Sequence, residues 1–384
     1  MNFFSSKPKS SLSLIIDIQS SVVRGSLVLT YPKQPPHIIW TSDVVIPYRA
    51  DGGSSYLVET MIKAVETVSQ SARVFVHDTR AHGTIPAHIS HAHCVLSSPW
   101  ISSQARTVNQ QFEKDTKITR AHIHSIVQDE RMKLLKSSGD VMMGIEEKIF
   151  DVRLNGYSIE KWENNIARSL EISFAISVAS KRIVDSISNA AKASGAHGSK
   201  IDFHSSLLLQ HIAMSSSLSL AGSYLLVHVH GELTDIVAVN NQSCVLFGSY
   251  PIGVRTITRQ LSLELNLSDS AVDSALGLYE SGQFDPLHAS VDVQNIQRAL
   301  SLWTDSSLKI TDLIPSDRKP THAIISSRLH EVLFKNSFGS VYPNIKTDIL
   351  PSDDILKLAS FDPQIEKFRL TVLYAIAIHS IENL

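Results

Sequence analysis

Apolar positions along the chain change period several times, and each change predicts an element. Residues 13–18 form a nearly continuous apolar run, the pattern of a central strand buried on both faces. A turn at Gln19, Ser20 and Ser21 leads to a second strand over 22–30. The Pro-rich stretch 31–36 interrupts the pattern, and a third strand follows over 37–46. From Asp51 to about Gln70 the period becomes helical, with Leu57, Met61, Ala64, Val65 and Val68 on one face. Residues 73–77 read as a strand.

The next stretch changes character. Residues 94–100 begin a strand region, and Ile118-Thr119 leads into a helix with Ile123, Ile126, Val127 and Leu134 on its apolar side. Strands are expected over 145–154 and 166–178, with Asn155-Gly156 as a turn. This is a small strand–helix–strand–strand module within a larger fold. A helix over 181–193 ends at Ser194-Gly195, and a strand over 200–203 precedes a helix over 206–214. Two strands, 225–229 and 234–239, flank a tight turn at His230-Gly231-Glu232-Leu233. Helices over 254–265, 268–280 and 295–313, a strand over 322–325, and helices over 328–334 and 364–383 complete the pattern. No tandem repeat or low-complexity tract stands out.

Composition narrows the function classes. The 384 residues are 43% hydrophobic and 19% charged, a globular balance with room for two or three domains. A net charge of -2 gives no electrostatic case for nucleic acid. Two distant cysteines, Cys94 and Cys244, predict a reducing, cytoplasmic setting. The N-terminus lacks the apolar core of a secretion signal, and no apolar run is long enough to span a bilayer. The apolar segment 370–381 is expected to be a buried terminal helix.

Two hairpins carry the candidate chemistry. Asp17, Ser20 and Ser21 close the first; Gly231, Thr234 and Asp235 close the second, and Gly253 opens the helix that follows it. This order and spacing resemble the phosphate loops of the bacterial actin-like ATPase superfamily, in its FtsA and PilM branches. In that family two α/β halves surround a nucleotide cleft, and each half begins with a hairpin whose backbone N–H groups touch phosphate. The second loop there reads Asp-Ile-Gly-Gly-Gly-Thr-Thr-Asp-Ile, followed by Pro-x-Gly-Gly. Residues 95–104, 118–123 and 150–157 are similar to the opening strand, helix and next strand of the small subdomain of FtsA and PilM. The resemblance therefore implies an α/β, actin-like (ribonuclease H-like) two-lobed fold. Its implied domains are 11–92 for the first half of lobe one, 93–180 for the inserted subdomain, and 181–384 for the remainder of lobe one and lobe two.

By the same resemblance, Asp17, Ser20, Ser21, Gly231, Thr234, Asp235, Gly253, Ser326 and Ser327 are the nucleotide-binding positions, and ATP with magnesium is the cofactor. Several family residues are replaced. Gln19 stands for a glycine, His228 for an aspartate, His230 and Glu232 for glycines, Val254 for the second glycine of the Gly-Gly turn, and Ser326-Ser327 for a Gly-Gly pair. Side chains at former glycines crowd a phosphate, and an exposed Glu232 would repel it. At an effective dielectric near 20, two unit charges about 4 Å apart repel by roughly 4 kcal/mol. The replacements argue against efficient ATP hydrolysis, and no catalytic residue is assigned.

The implied function is a cytoplasmic scaffold at the inner membrane face, acting in cell division or type IV pilus assembly by recruiting proteins. Its partner would be the division filament protein or the cytoplasmic tail of a pilus-assembly membrane protein; self-association stays open. The chain ends directly after the fold's last helix, which favours the pilus role because FtsA relatives carry a further anchor helix. The alternative is an active Mg-ATP-binding ATPase or sugar-kinase-like enzyme of the same fold. Thr234, Asp235, Ser20 and Ser21 can bind phosphate or simply close their hairpins. His228 and His230 share a strand face, as a packed pair or a repurposed cleft wall. His77, His82, His88, His91 and His93 cluster beside Cys94, yet their spacing matches no standard zinc motif, so no metal site is assigned.

Overall fold

The computed structural model describes residues 10–49, 53–80, 85–86, 88–136, 141–194, 200–217, 222–283 and 292–382. In chain order the elements are β1 (Ser11–Ile18), β2 (Val22–Thr30), β3 (His37–Val45), α1 (Gly53–Arg80), β4 (His91–Leu96), β5 (Ser102–Lys117), α2 (Arg120–Lys136), β6 (Met142–Leu154), β7 (Tyr157–Ser158), β8 (Ile166–Ser180), α3 (Lys181–Ala191), β9 (Lys200–Ser205), α4 (Ser206–Ser217), β10 (Ser223–Val229), β11 (Thr234–Asn240), β12 (Ser243–Tyr250), α5 (Val254–Leu265), α6 (Asp269–Glu280), α7 (Val293–Thr311), β13 (His322–Ser327), α8 (Glu331–Val341), β14 (Lys346–Ile349), α9 (Ser352–Leu356), β15 (Ser360–Phe361) and α10 (Arg369–Glu382). They divide into two units, one of 1–101, 179–220 and 351–384, the other of 102–178 and 221–350.

The first unit holds a six-stranded sheet in the order β15-β3-β2-β1-β4-β9. β1, β2 and β3 are antiparallel, whereas β1, β4 and β9 run parallel. β2 is buried along nearly its whole length, so both of its faces must be covered. Successive side chains alternate between faces, and this assigns the covering helices. A Cβ on Gly25 would meet Val68 of α1 at 2.3 Å, while the Ser26 hydroxyl lies 3.4 Å from that of Thr371 in α10. α1 and α10 therefore cover opposite faces. α10 buries Val372, Leu373, Tyr374, Ala375, Ala377 and Ile378, as expected of a core terminal helix.

The second unit repeats the plan in the order β12-β11-β10-β13-β14: two antiparallel pairings, then two parallel ones. Its core gathers Leu225, Val227, Ile236, Ile257, Trp303, Phe334 and Phe338. The same unit contains the four-stranded sheet β5-β8-β6-β7, with α2 packed on β6. Ile118, Ile123, Val127, Leu154, Ile172 and Phe174 form its own apolar cluster, which is the inserted strand–helix–strand–strand module. Its Asn155-Gly156 turn has positive φ at both residues, 52° and 85°, as a two-residue hairpin loop requires.

Two sequence expectations are corrected. Residues 73–77 are not a strand: α1 runs through them to Arg80. The helical phase wins because it buries Ala72 and Val76 beside Met61, Val65 and Val68, leaving Val74 58% exposed. The opening strand of the module overlaps the expected 95–104 only from Ser102 onward. Residues 91–96 form β4, an interior strand of the first unit's sheet between β1 and β9, and the module begins at Ser102 with a long, polar strand that carries no apolar alternation to announce it. The expected helix start at Asp51-Gly52, the helix stop at Gly195 and His82 lie outside the described residues.

The tight α1–β2 approach predicts opposite outcomes at two glycines. Gly25→Val should destabilise by about 1–3 kcal/mol, because Val68 and Trp40 leave no room. Gly277→Ala, in α6 with nothing within 4 Å of the added carbon, should stabilise by about 0.5–1 kcal/mol. Urea unfolding of the two variants measures both.

Candidate functional site

Each unit places a candidate half-site where its central strand ends in a hairpin. In the first unit Asp17 is buried at the end of β1. The Gln19 side chain donates to Asp17 Oδ2 at 2.8 Å. The residue that replaces the family glycine thus reaches back and engages the buried carboxylate of a candidate nucleotide-binding position. Ser20 and Ser21 form the turn, closed by Gln19 N–H donating to the Val22 carbonyl at 3.0 Å. Both serines are buried. The Trp100 indole donates to the Gln19 carbonyl at 3.0 Å, and Ile46 N–H donates to that of Ser21 at 2.8 Å. The hairpin tip is tied to its own unit.

In the second unit His228 pairs across the sheet with Asp235 on one side and Ser326 on the other. His228 Nδ1 and Ser326 Oγ are 2.5 Å apart, and His230 Nε2 lies 3.0 Å from Asp235 Oδ2. The two imidazole rings meet edge to face at 4.0 Å between centroids. All four side chains are buried, forming a polar string across the strand ends. The string consists of two hydrogen-bonded pairs whose rings meet edge to face, an arrangement that orients both imidazoles. The Asp235 carboxylate is spent on an imidazole rather than left for a hydrated metal.

Thr234 is fully buried and works as a joint. Its hydroxyl donates to the Ile252 carbonyl at 2.7 Å and accepts from the Trp303 indole at 2.9 Å. Gly231 and Gly253 meet directly: a Cβ on Gly253 would lie 2.6 Å from the Gly231 carbonyl oxygen and 2.5 Å from that of His230. This approach lets the first turn of α5 dock on the hairpin. Val254 N–H donates to the His230 carbonyl at 2.9 Å, and Arg255 and Thr256 N–H donate to that of Gly231 at 2.8 and 3.4 Å. Gly253 N–H meets Thr256 Oγ1 at 3.3 Å. The donors a helix N-terminus would offer an anion already have protein acceptors. Ser327 serves its own loop, with Oγ donating to the Leu329 carbonyl at 2.8 Å and N–H to Glu331 Oε1 at 3.2 Å.

Glu232 departs from expectation. It is not a free charge at an exposed tip: its side chain is 20% exposed, and Arg259 of α5 grips both carboxylate oxygens at 3.1 and 2.7 Å. The repulsion argued from Glu232 alone does not apply, since the guanidinium supplies the opposite charge. The sequence showed Glu232 without its partner, which sits on the next helix. The Gln19 lock and the Trp100 cap were missed for the same reason, although a polar side chain in place of a hairpin glycine was a usable sign. Burial raises both cysteine thiols, Cys94 to about 12, so neither is a ready nucleophile.

If Thr234 and Gly253 act as joints, their replacement harms the fold whether or not nucleotide is present. Thr234→Val strands the Trp303 and Ile252 groups and should cost about 1–3 kcal/mol. Gly253→Ala should cost about 3 kcal/mol or more, since backbone carbonyls rather than flexible side chains obstruct it. Thermal unfolding with and without Mg-ATP reports both.

No family model and no curated protein matches the sequence. Solved structures do. The chain is similar to the type IV pilus biogenesis complex PilM–PilN, with a TM-score of 0.62 and 11% identity over 96% of this chain and 98% of that one. It is also similar to the ethanolamine utilization protein EutJ from Carboxydothermus hydrogenoformans, with a TM-score of 0.50 and 8% identity over 97% of this chain and 90% of that one. The repeated sheet plan, the inserted module and the full-length match agree: the chain has the actin-like fold, in its PilM-like form.

Proposed function

We propose that the protein is a scaffold of type IV pilus assembly, working at the inner membrane face by holding a cytoplasmic tail of a pilus-assembly membrane protein. The full-length likeness to PilM, inserted module included, supports this reading. It carries with it two lobes, expected over 11–92 and 181–384, and an inserted module whose expected span of 93–180 shortens to begin at Ser102. Among the described residues no helix is long and apolar enough to cross a membrane, so attachment would pass through the partner.

The same proposal gives the nucleotide cleft a weakened grip. The nine candidate positions remain Asp17, Ser20, Ser21, Gly231, Thr234, Asp235, Gly253, Ser326 and Ser327. Gln19 on Asp17, His230 on Asp235 and the docked α5 turn support the weakening, because ATP with magnesium would have to displace each of them. On this reading the recruiting surface, not hydrolysis, carries the function. A division scaffold and a working ATPase remain the competing readings.

Labelled ATP, with or without Mg²⁺, should bind no tighter than about 1 mM, less than about 4 kcal/mol of binding free energy. Tight Mg-dependent binding that disappears in Asp17→Ala and Asp235→Ala would overturn the weakened cleft and the scaffold-only reading. Fluorescence anisotropy should show binding to a peptide of the host's pilus-assembly membrane-protein tail. Preference for the tail of the tubulin-like division protein would transfer the role to division.

A further inference from the structure

The first unit contains a second constellation of chemically capable side chains, on the same sheet as the Asp17 hairpin but nearer the start of β1. Sheet register brings it together. Ser26 faces α10, Ile15 is paired with Ser26, His93 with Ile15, and Asp202 with His93. These positions share the face that α10 covers, and His91 and His204, each two residues away along its strand, keep it. Cys94, between the histidines, points to the other face. From α10, Glu382 reaches the same place.

The separations are short. His91 Nε2 lies 2.9 Å from Asp202 Oδ2, and His91 Nδ1 lies 3.1 Å from Glu382 Oε1. His93 Nδ1 is 3.2 Å from His204 Nε2, and His93 Nε2 is 3.4 Å from Glu382 Oε1. One donor atom each from His91, His93 and Asp202 can be chosen so that all lie within 4.8 Å of one another. A tetrahedral ion with bonds of about 2.0–2.1 Å spaces its ligand atoms about 3.3 Å apart, so modest side-chain adjustment would close these groups around one. His93 supplies an independent sign. Its side chain is 2% exposed, and its buried Nε2 has only the Glu382 carboxylate beside it, 3.4 Å away and short of a well-formed hydrogen bond. Buried polar atoms are nearly always satisfied, and a cation at this point would satisfy this one.

We propose that His91, His93 and Asp202 bind a divalent transition-metal ion, with Glu382 as the fourth ligand and His204 as the outer partner that orients His93. Two imidazoles with two carboxylates suit zinc and its neighbours, whereas magnesium and calcium prefer oxygen alone. A metal-bound imidazole ordinarily uses its second nitrogen on an outer partner, the relation His93 Nδ1 already has with His204. Lys200 competes for Asp202 at 2.7 Å, but its side chain is mostly exposed and free to swing out. The partly exposed His91, Asp202 and Glu382 side chains leave an entry path. The bound ion would pin β4, β9 and the last turn of α10 to one another. This site does not depend on the nucleotide or pilus reading.

The test uses the untagged full-length chain after chelator treatment, titrated with Zn²⁺ by calorimetry and with Co²⁺ by visible absorption. One equivalent should bind, with the intense bands of tetrahedral Co²⁺, and should raise the melting temperature. Asp202→Asn, His91→Gln and Glu382→Gln should each weaken binding by at least about tenfold. His77→Gln and His322→Gln, histidines outside the cluster, should bind as the parent does. Circular dichroism checks each variant's fold, and Glu382→Gln, at the partly exposed end of α10, is the substitution least able to disturb it. Absence of a saturable single equivalent, or binding unchanged in the folded Glu382→Gln and Asp202→Asn variants, overturns the proposal.

Discussion

A buried strand end is an expensive place to leave a polar group unpaired, and the ends of β1 and β10 are both buried. In a low-dielectric setting each carboxylate and imidazole there must be met by a donor or an acceptor. Gln19 meets Asp17, His230 meets Asp235, and Ser326 meets His228. These contacts shape everything built on them. They brace the strand ends beside the turns, and they determine which groups are left to offer a ligand.

The docking of α5 shows how one constraint leads to the next. Gly253 allows its backbone to lie against the carbonyls of His230 and Gly231, and the first N–H groups of α5 donate to those carbonyls. Once docked, the helix brings Arg259 to Glu232. An acidic residue at the hairpin turn then becomes part of a charge-paired joint. Thr234 fastens the joint from beneath, through Ile252 and Trp303. The retained Gly253 is thus explained by contacts within the protein, without appeal to a bound phosphate.

Alternation across the first unit's sheet produces both its core and its metal-ligand cluster. One face carries Gly25 against Val68 of α1; the other carries Ser26, Ile15, His93 and Asp202 beneath α10. Apolar residues on that second face give way to histidines and acids toward β9, the edge strand, where the end of α10 is partly exposed. Polar groups collect where the helix cover runs out, because there they keep access to water.

The chain by itself determined a good part of this protein. Strong local periodicity located β1, β2, β3, the β10–β11 hairpin, α5 and α10, and the order of the hairpins and module pointed to the actin-like plan. Local pattern is enough there because each such element repeats one environment at a regular spacing. Tertiary structure decided the rest. Residues 73–77 have strand-like composition, yet their helical phase buries Ala72 and Val76, so they extend α1. β5 is long and polar and is a strand only because β8 pairs with it. At the candidate site the sequence named Asp17, Asp235 and Glu232 but not Gln19, His230 and Arg259 as their partners. Glu382 stands 289 residues beyond His93 in the chain, and only the packing of α10 on the sheet brings them within 3.4 Å. Periodicity reports the face on which a side chain lies; what it meets there is set by contacts between residues remote in sequence.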